Sequence, residues 1–232
     1  MYSVRKLNEM HQFLKDLEFK FEAHRNPEDA GHMKAYMKNQ FEFFGIKQGP
    51  RRNLLKESWK EQGVPPYEDL NELIREMFER PEREWQHSAI DFMLKHLKNL
   101  KEEDIELIEW SIVNKSWWDT VDGISAWITG PFLKSYPQYV PARTDEWIEN
   151  DNFWMQRMAI LFQLKYKEEL DFELLKKYIL RRKTSKEFFI QKASGWILRH
   201  HSRRIPGLAT SFVEANPELS NLTKREALRL LK

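Results

Sequence analysis

An all-α helix-pair solenoid with a concave basic groove is the fold class this sequence predicts, and three observations predict it. Apolar residues recur at three- and four-residue steps along nearly the whole chain, the spacing of one buried helix face. No stretch alternates convincingly with period two, so strands are not expected. Long helical segments overlay one another at a constant offset of 35 residues.

The elements follow in order. Residues 5–24 place Leu7, Met10, Leu14, Leu17 and Phe21 on one face, and Asn26-Pro27 breaks the run. The spacing predicts a second helix over 28–44, ended by Gly45. Pro50 opens a third, and Gly63-Val64-Pro65-Pro66 closes it. Further helices are predicted at 67–79, 81–98, 103–114, 116–134, 143–149, 151–167, 171–182, 185–203, 206–214 and 223–231. Pro81, Asp151 and Ser185 are favourable helix starts.

The repeat shows when the long helices are overlaid on positions 86, 121, 156 and 191, where Gln86, Gln156 and Gln191 share a column with Val121. Two helices per repeat of this length is the plan of HEAT-like solenoids, in which the second helices of successive pairs line one face. The expectation is therefore one HEAT-like repeat domain over 1–232, with helices 1–48 as a cap and repeats from about residue 50 onward.

Composition narrows the chemistry. Cysteine is absent, so disulfides, thiolate metal sites and cysteine nucleophiles are excluded. No metal or organic cofactor is expected. The opening MYSVRKLNEMHQF has no apolar signal core and no window is long and apolar enough to span a bilayer; with no cysteine, a cytoplasmic setting is expected. The formal net charge is only +2, so distribution must reveal the partner. Residues 181–204 carry eight bases against one acid.

The position after the glutamine column reads His87, Asp122, Arg157 and Lys192: one carboxylate among bases. Trp118 lies one helical turn before Asp122, and Trp196 one turn after Lys192. A basic track with interleaved aromatics suits a phosphodiester backbone, because bound cations release condensed counterions. The residues alone leave alternatives open. Asp122 reads either as an acid paired with Arg157 or Lys192, or as a reacting group. Trp118 and Trp196 read as core or as contacts. The charged face reads as a nucleic-acid surface or as a scaffold for an acidic protein. Adjacent His200 and His201 cannot converge on a metal from one helix.

Five stretches, MKAYMKNQFEFFGI (33–46), PEREWQHSAIDFM (81–93), NKSWWDTVDGIS (114–125), DNFWMQRMAILFQLKYK (151–167) and SKEFFIQKASGWILR (185–199), carry a resemblance. With them the chain resembles the HEAT-repeat DNA alkylation repair glycosylases of bacteria, the AlkD type of the AlkC/AlkD superfamily. The resemblance implies release of alkylated purines from duplex DNA without a base-enclosing pocket. It assigns the catalytic carboxylate to Asp122, the aromatic clamps to Trp118 and Trp196, a backbone contact to Arg157, and a cleft-lining aromatic to Tyr36. Lys192, Lys47 and Arg199 complete the expected DNA-binding set, and Lys47 lies in KQGPRR (47–52), where the sequence departs from the family pattern. The alternative is a non-catalytic HEAT-repeat DNA-binding or scaffold protein.

Overall fold

The computed structural model describes residues 11–229, and the described residues are helical with short turns. Leu7 and Met10 of the expected first helix, and residues 230–231 of the expected last one, lie outside them. The chain divides into two compact units, one up to Asn99 and one from Leu100 onward.

In the first unit, α1 (Gln12–Ala23) buries Phe13, Leu14, Leu17 and Phe21. It packs on α3 (Gln48–Gln62), and α3 packs on α5 (Arg83–Lys95). Between these, α4 (Leu70–Glu79) lays Leu70, Leu73, Ile74, Met77 and Phe78 against α5. Apolar residues at three- and four-residue steps thus become one continuous core.

The expected helix over 28–44 is shorter. α2 spans Pro27–Tyr36, and the chain then turns through Lys38 and Asn39 at positive φ. Residues 41–46 run on outside any helix. Their backbone groups are satisfied elsewhere: the Glu84 carboxylate accepts from the N–H groups of Phe44, Gly45 and Ile46 at 3.1, 2.9 and 2.9 Å. The Arg83 N–H donates to the Glu42 carbonyl at 2.8 Å. Phe43, Phe44 and Ile46 are buried, which explains why the segment imitates a helix face in the sequence. Gly45 sits at φ +89°, and a Cβ there would lie 2.1 Å from the Asn26 carbonyl oxygen, so only glycine fits.

The second unit is a run of helix pairs. α6 (Ile105–Val113) precedes a long helix made of α7 (Trp118–Gly123), a π-helical turn (Ile124–Thr129) and α8 (Gly130–Ser135). The widened turn has a cause. Pro131 has no N–H and its ring crowds the carbonyl four residues back, so the ladder widens just before it. Then come α9 (Ala142–Glu149), α10 (Phe153–Leu161), α11 (Phe172–Arg181), α12 (Phe188–Ser202), α13 (Leu208–Ala215) and α14 (Asn221–Leu228). The second helices stand side by side: α7 against α10, α10 against α12, α12 against α14.

The register appears as bonds between neighbouring repeats. The Tyr136 hydroxyl donates to the Leu100 carbonyl and the Tyr166 hydroxyl to the Gly130 carbonyl, each at 3.0 Å and 36 residues apart. Lys134 meets Glu169, 35 residues on, at 2.6 Å. The glutamine column proves to be a fastening. Gln86, Gln156 and Gln191 each donate a side-chain N–H to the carbonyl six residues earlier, those of Arg80, Asn150 and Ser185, at 2.9, 2.6 and 2.8 Å. Each bond ties the turn between paired helices to the start of the second helix and so fixes where the next residue in sequence points. Glu226, on α14, stands at the next position of the same register.

Candidate active site

Asp122 and Arg157 are brought together. Arg157 Nε donates to Asp122 Oδ1 at 2.7 Å and Nη2 to Oδ2 at 3.0 Å. Both carboxylate oxygens accept from one planar fork, a rigid arrangement. Arg157 Nη1 donates to the Phe189 carbonyl on α12. One guanidinium therefore joins three successive second helices. Arg157 is 4% exposed, whereas the Asp122 side chain keeps 17% of its surface open. The resemblance expects a DNA backbone contact from Arg157; in this structure three of its donor directions end on protein oxygens and its side chain is buried.

The surroundings are apolar on one side. Trp117, Trp154 and Phe189 form a cluster, with ring centroids 5.2 Å (Trp117 to Phe189) and 4.8 Å (Trp154 to Phe189) apart. The Arg157 guanidinium lies 5.8 Å from the Phe189 ring centroid. Burial pushes the Asp122 carboxyl above the ordinary carboxylate value. The Arg157 charge and its hydrogen bonds pull the other way, and the Asp119 carboxylate adds to the rise. Asp119 stands in the first turn of α7, where a negative charge complements the helix N-terminus.

Trp118 is the first residue of α7, one turn before Asp122, and is half-buried. Trp196 is half-buried on α12, one turn beyond Lys192. Phe153 and Phe188 occupy the Trp118 position of the two following repeats, 35 and 70 residues on. Phe188 is an exposed ring. This row of aromatics one turn from the charged row was present in the overlay, but only its first member had been singled out.

Lys192 and Arg199 are less free than a basic track implies. Both reach Glu226 on α14: Lys192 Nζ at 2.9 Å and Arg199 Nη1 at 3.1 Å, with a further Arg199 bond to the Glu226 carbonyl at 2.7 Å. Burial raises the Glu226 carboxyl, but the hydrogen bonds from Lys192 and Arg199 outweigh it, and the net direction is down. Sequence reading had missed this acid, although the 35-residue register passes through it. Tyr36, the last residue of α2, and Lys47, paired with Asp29 at 3.0 Å, belong to the first unit and are both exposed.

Among the described residues no group of three or more His, Cys, Asp or Glu side chains is arranged to hold a metal ion. No helix of the described residues is long and apolar enough to cross a membrane.

Paired helices in repeat, with a semi-buried carboxylate clamped by a buried guanidinium between neighbouring repeats, define an all-α repeat protein. The family model of DNA alkylation repair enzymes matches residues 17–231, and the chain belongs to that family. A similar solved structure is a "predicted DNA alkylation repair enzyme" from Enterococcus faecalis, 36% identical, covering 90% of this chain and 97% of that one with a TM-score of 0.82. A search of curated proteins returned no match. Membership gives the chain a role in DNA alkylation repair, with DNA as its substrate.

Proposed function

We propose that the protein is an AlkD-type DNA glycosylase that hydrolyses the N-glycosidic bond of cationic N3- and N7-alkylpurines in duplex DNA. The observation that carries the reading is the Asp122 carboxylate, partly open and held at both oxygens by Arg157. Alkylation at N3 of adenine or N7 of guanine makes the base a cation, hence a good leaving group that needs no general acid. As the bond breaks, positive charge develops on the sugar. A preorganised carboxylate facing that charge stabilises it, the more so beside an aromatic cluster that screens the field less than water does. Asp122 also accepts a hydrogen bond from the attacking water. Arg157 is a positioning residue: it fixes the carboxylate plane, and its charge opposes the rise that burial causes.

Trp118 and Trp196 offer ring faces to the sugar and backbone, favourable surfaces for positive charge. Selectivity comes from the lesion's lability and charge rather than from an enclosing pocket. Lys192, Arg199, Tyr36 and Lys47 are assigned to backbone contact in this reading; Lys192 and Arg199 exchange Glu226 for phosphate when DNA binds. The protein acts as a monomer on cytoplasmic, nucleoid-bound DNA and requires no metal or organic cofactor.

The direct test is incubation with methylated duplex DNA. The reading expects free 7-methylguanine and 3-methyladenine and an abasic strand. Binding without release, at ordinary salt and with the folded protein in excess, would instead support a DNA-binding relative without chemistry.

A further inference from the structure

The second unit holds a cluster of cations that the catalytic reading does not use. Lys165, Lys167, His200, Arg203 and Arg204 line one concavity where the turn after α10 meets the C-terminal end of α12. One carboxylate reaches it, Glu168, at 3.0 Å from Arg204; both side chains of that pair are largely exposed, and such pairs open at little cost. The four Lys and Arg residues therefore leave a clear positive surplus even with His200 neutral. His200 registers that surplus: burial holds its pKa below the ordinary histidine value, and Lys165, Arg203 and Arg204 push in the same direction.

A second observation stands beside the cluster. Trp127, in the π-helical turn, is 53% exposed, and Lys165 Nζ lies 4.4 Å from its ring centroid. An exposed tryptophan beside concentrated positive charge is the combination that nucleic-acid strands use, the cations for phosphate and the ring for base or sugar.

The register places the cluster relative to the reactive centre. Lys165 and His200 each lie eight residues beyond Arg157 and Lys192, so they form one further row of the 35-residue repeat. Eight residues of helix correspond to about 12 Å along the axis and a net rotation of roughly 80°. His200 therefore stands on α12 two turns beyond Lys192, and Lys165 ends the 3-10 turn that follows α10.

We propose that Lys165, Lys167, His200, Arg203 and Arg204, with Trp127 beside them, form a phosphate-binding site that grips the duplex backbone away from the Asp122 centre. The proposal rests on the reading of the protein as a duplex-DNA binder, but not on catalysis. The site supplies sequence-independent affinity through a surplus of cations over the one exposed carboxylate beside them, whereas Lys192 and Arg199 must first give up the buried Glu226.

The experiment is binding of an undamaged fluorescent duplex by anisotropy across a salt series, comparing wild type with Lys165→Gln/Arg203→Gln. The control, Lys60→Gln/Lys98→Gln, removes the same charge from exposed positions of the first unit. Helical circular dichroism confirms that each variant folds. The slope of log K against log salt should become shallower by about 0.9 for each phosphate lost, and affinity at low salt should fall about tenfold, with the control unchanged. A double variant indistinguishable from wild type would overturn the site, and so would an equal loss in the control, which would mean diffuse charge. If wild type releases no alkylated base yet the slope difference appears, the catalytic reading fails and the phosphate site stands. If bases are released and the slopes coincide, the reverse holds.

Discussion

At the scale of residues, the pairing of Asp122 with Arg157 decides what the acid can do. A carboxylate alone in a row of bases reads equally well as an ordinary ion-pair partner, and the structure makes it one. The pairing leaves 17% of the Asp122 side chain open to solvent, and the proposed chemistry uses that open part. The charge must be negative to stabilise a cationic sugar. Base release should therefore fall as pH drops through the folded-state pKa of Asp122, which burial sets above the ordinary value of about 3.9. Arg157→Ala removes the charge that opposes this rise, so the acidic limb of the pH–rate profile should move to higher pH. Because Arg157 is sealed, the salt slope for duplex binding should stay as in wild type; a slope shallower by about one would instead restore a direct phosphate contact.

A second residue-scale prediction concerns His201, which is fully buried and whose Nε2 donates to the Gln163 carbonyl at 3.1 Å. Burial, with the neighbouring His200, lowers its pKa to about 4 from 6.5. A lowered histidine pKa means stability that is fully present above 6.5 and lost as pH falls towards 4. The loss attributable to this group is roughly 3 kcal/mol. Denaturant unfolding of His201→Gln should show a flatter dependence between those values; an identical dependence would assign the acid sensitivity elsewhere.

At the scale of elements, much of the helix pattern was legible because core faces follow the helical period. The places where it was not have physical causes. Residues 37–46 carry apolar side chains at helix-like spacing, but the N–H groups of Phe44, Gly45 and Ile46 go to the Glu84 carboxylate 38–40 residues away, a partner no local pattern reveals. Pro131 inside the predicted 116–134 helix should have signalled an irregular ladder, and the π-helical turn lies just before it. That Asp122 could pair with Arg157 was legible through the register. The seal around Arg157 was not, since it depends on a backbone carbonyl of Phe189. Gly195 shows how tightly two elements meet: a Cβ there would stand 2.5 Å from the Glu226 Cβ and 2.6 Å from the Thr223 carbonyl oxygen. Gly195→Ala should force α14 away from α12 and lower stability by about 1–3 kcal/mol, measured by thermal or denaturant unfolding. Unchanged stability would show that α14 yields freely.

At the scale of the whole molecule, one spacing organises the fastening bonds and the charged row together. The column of Gln86, Gln156 and Gln191 holds the turns between helices, and the next position carries Asp122, Arg157 and Lys192. A repeat thus delivers a carboxylate and its clamp to adjacent places on neighbouring helices, although they are 35 residues apart in sequence. Membership of the DNA alkylation repair enzyme family accords with that centre, and the proposed chemistry rests on a single atom group. Single-turnover release of 7-methylguanine from methylated duplex, with Asp122→Asn beside wild type and duplex affinity measured on the same samples, tests it most directly. The account predicts a rate lower by about 10²-fold or more in the variant with affinity nearly preserved; release at the wild-type rate by Asp122→Asn would contradict it.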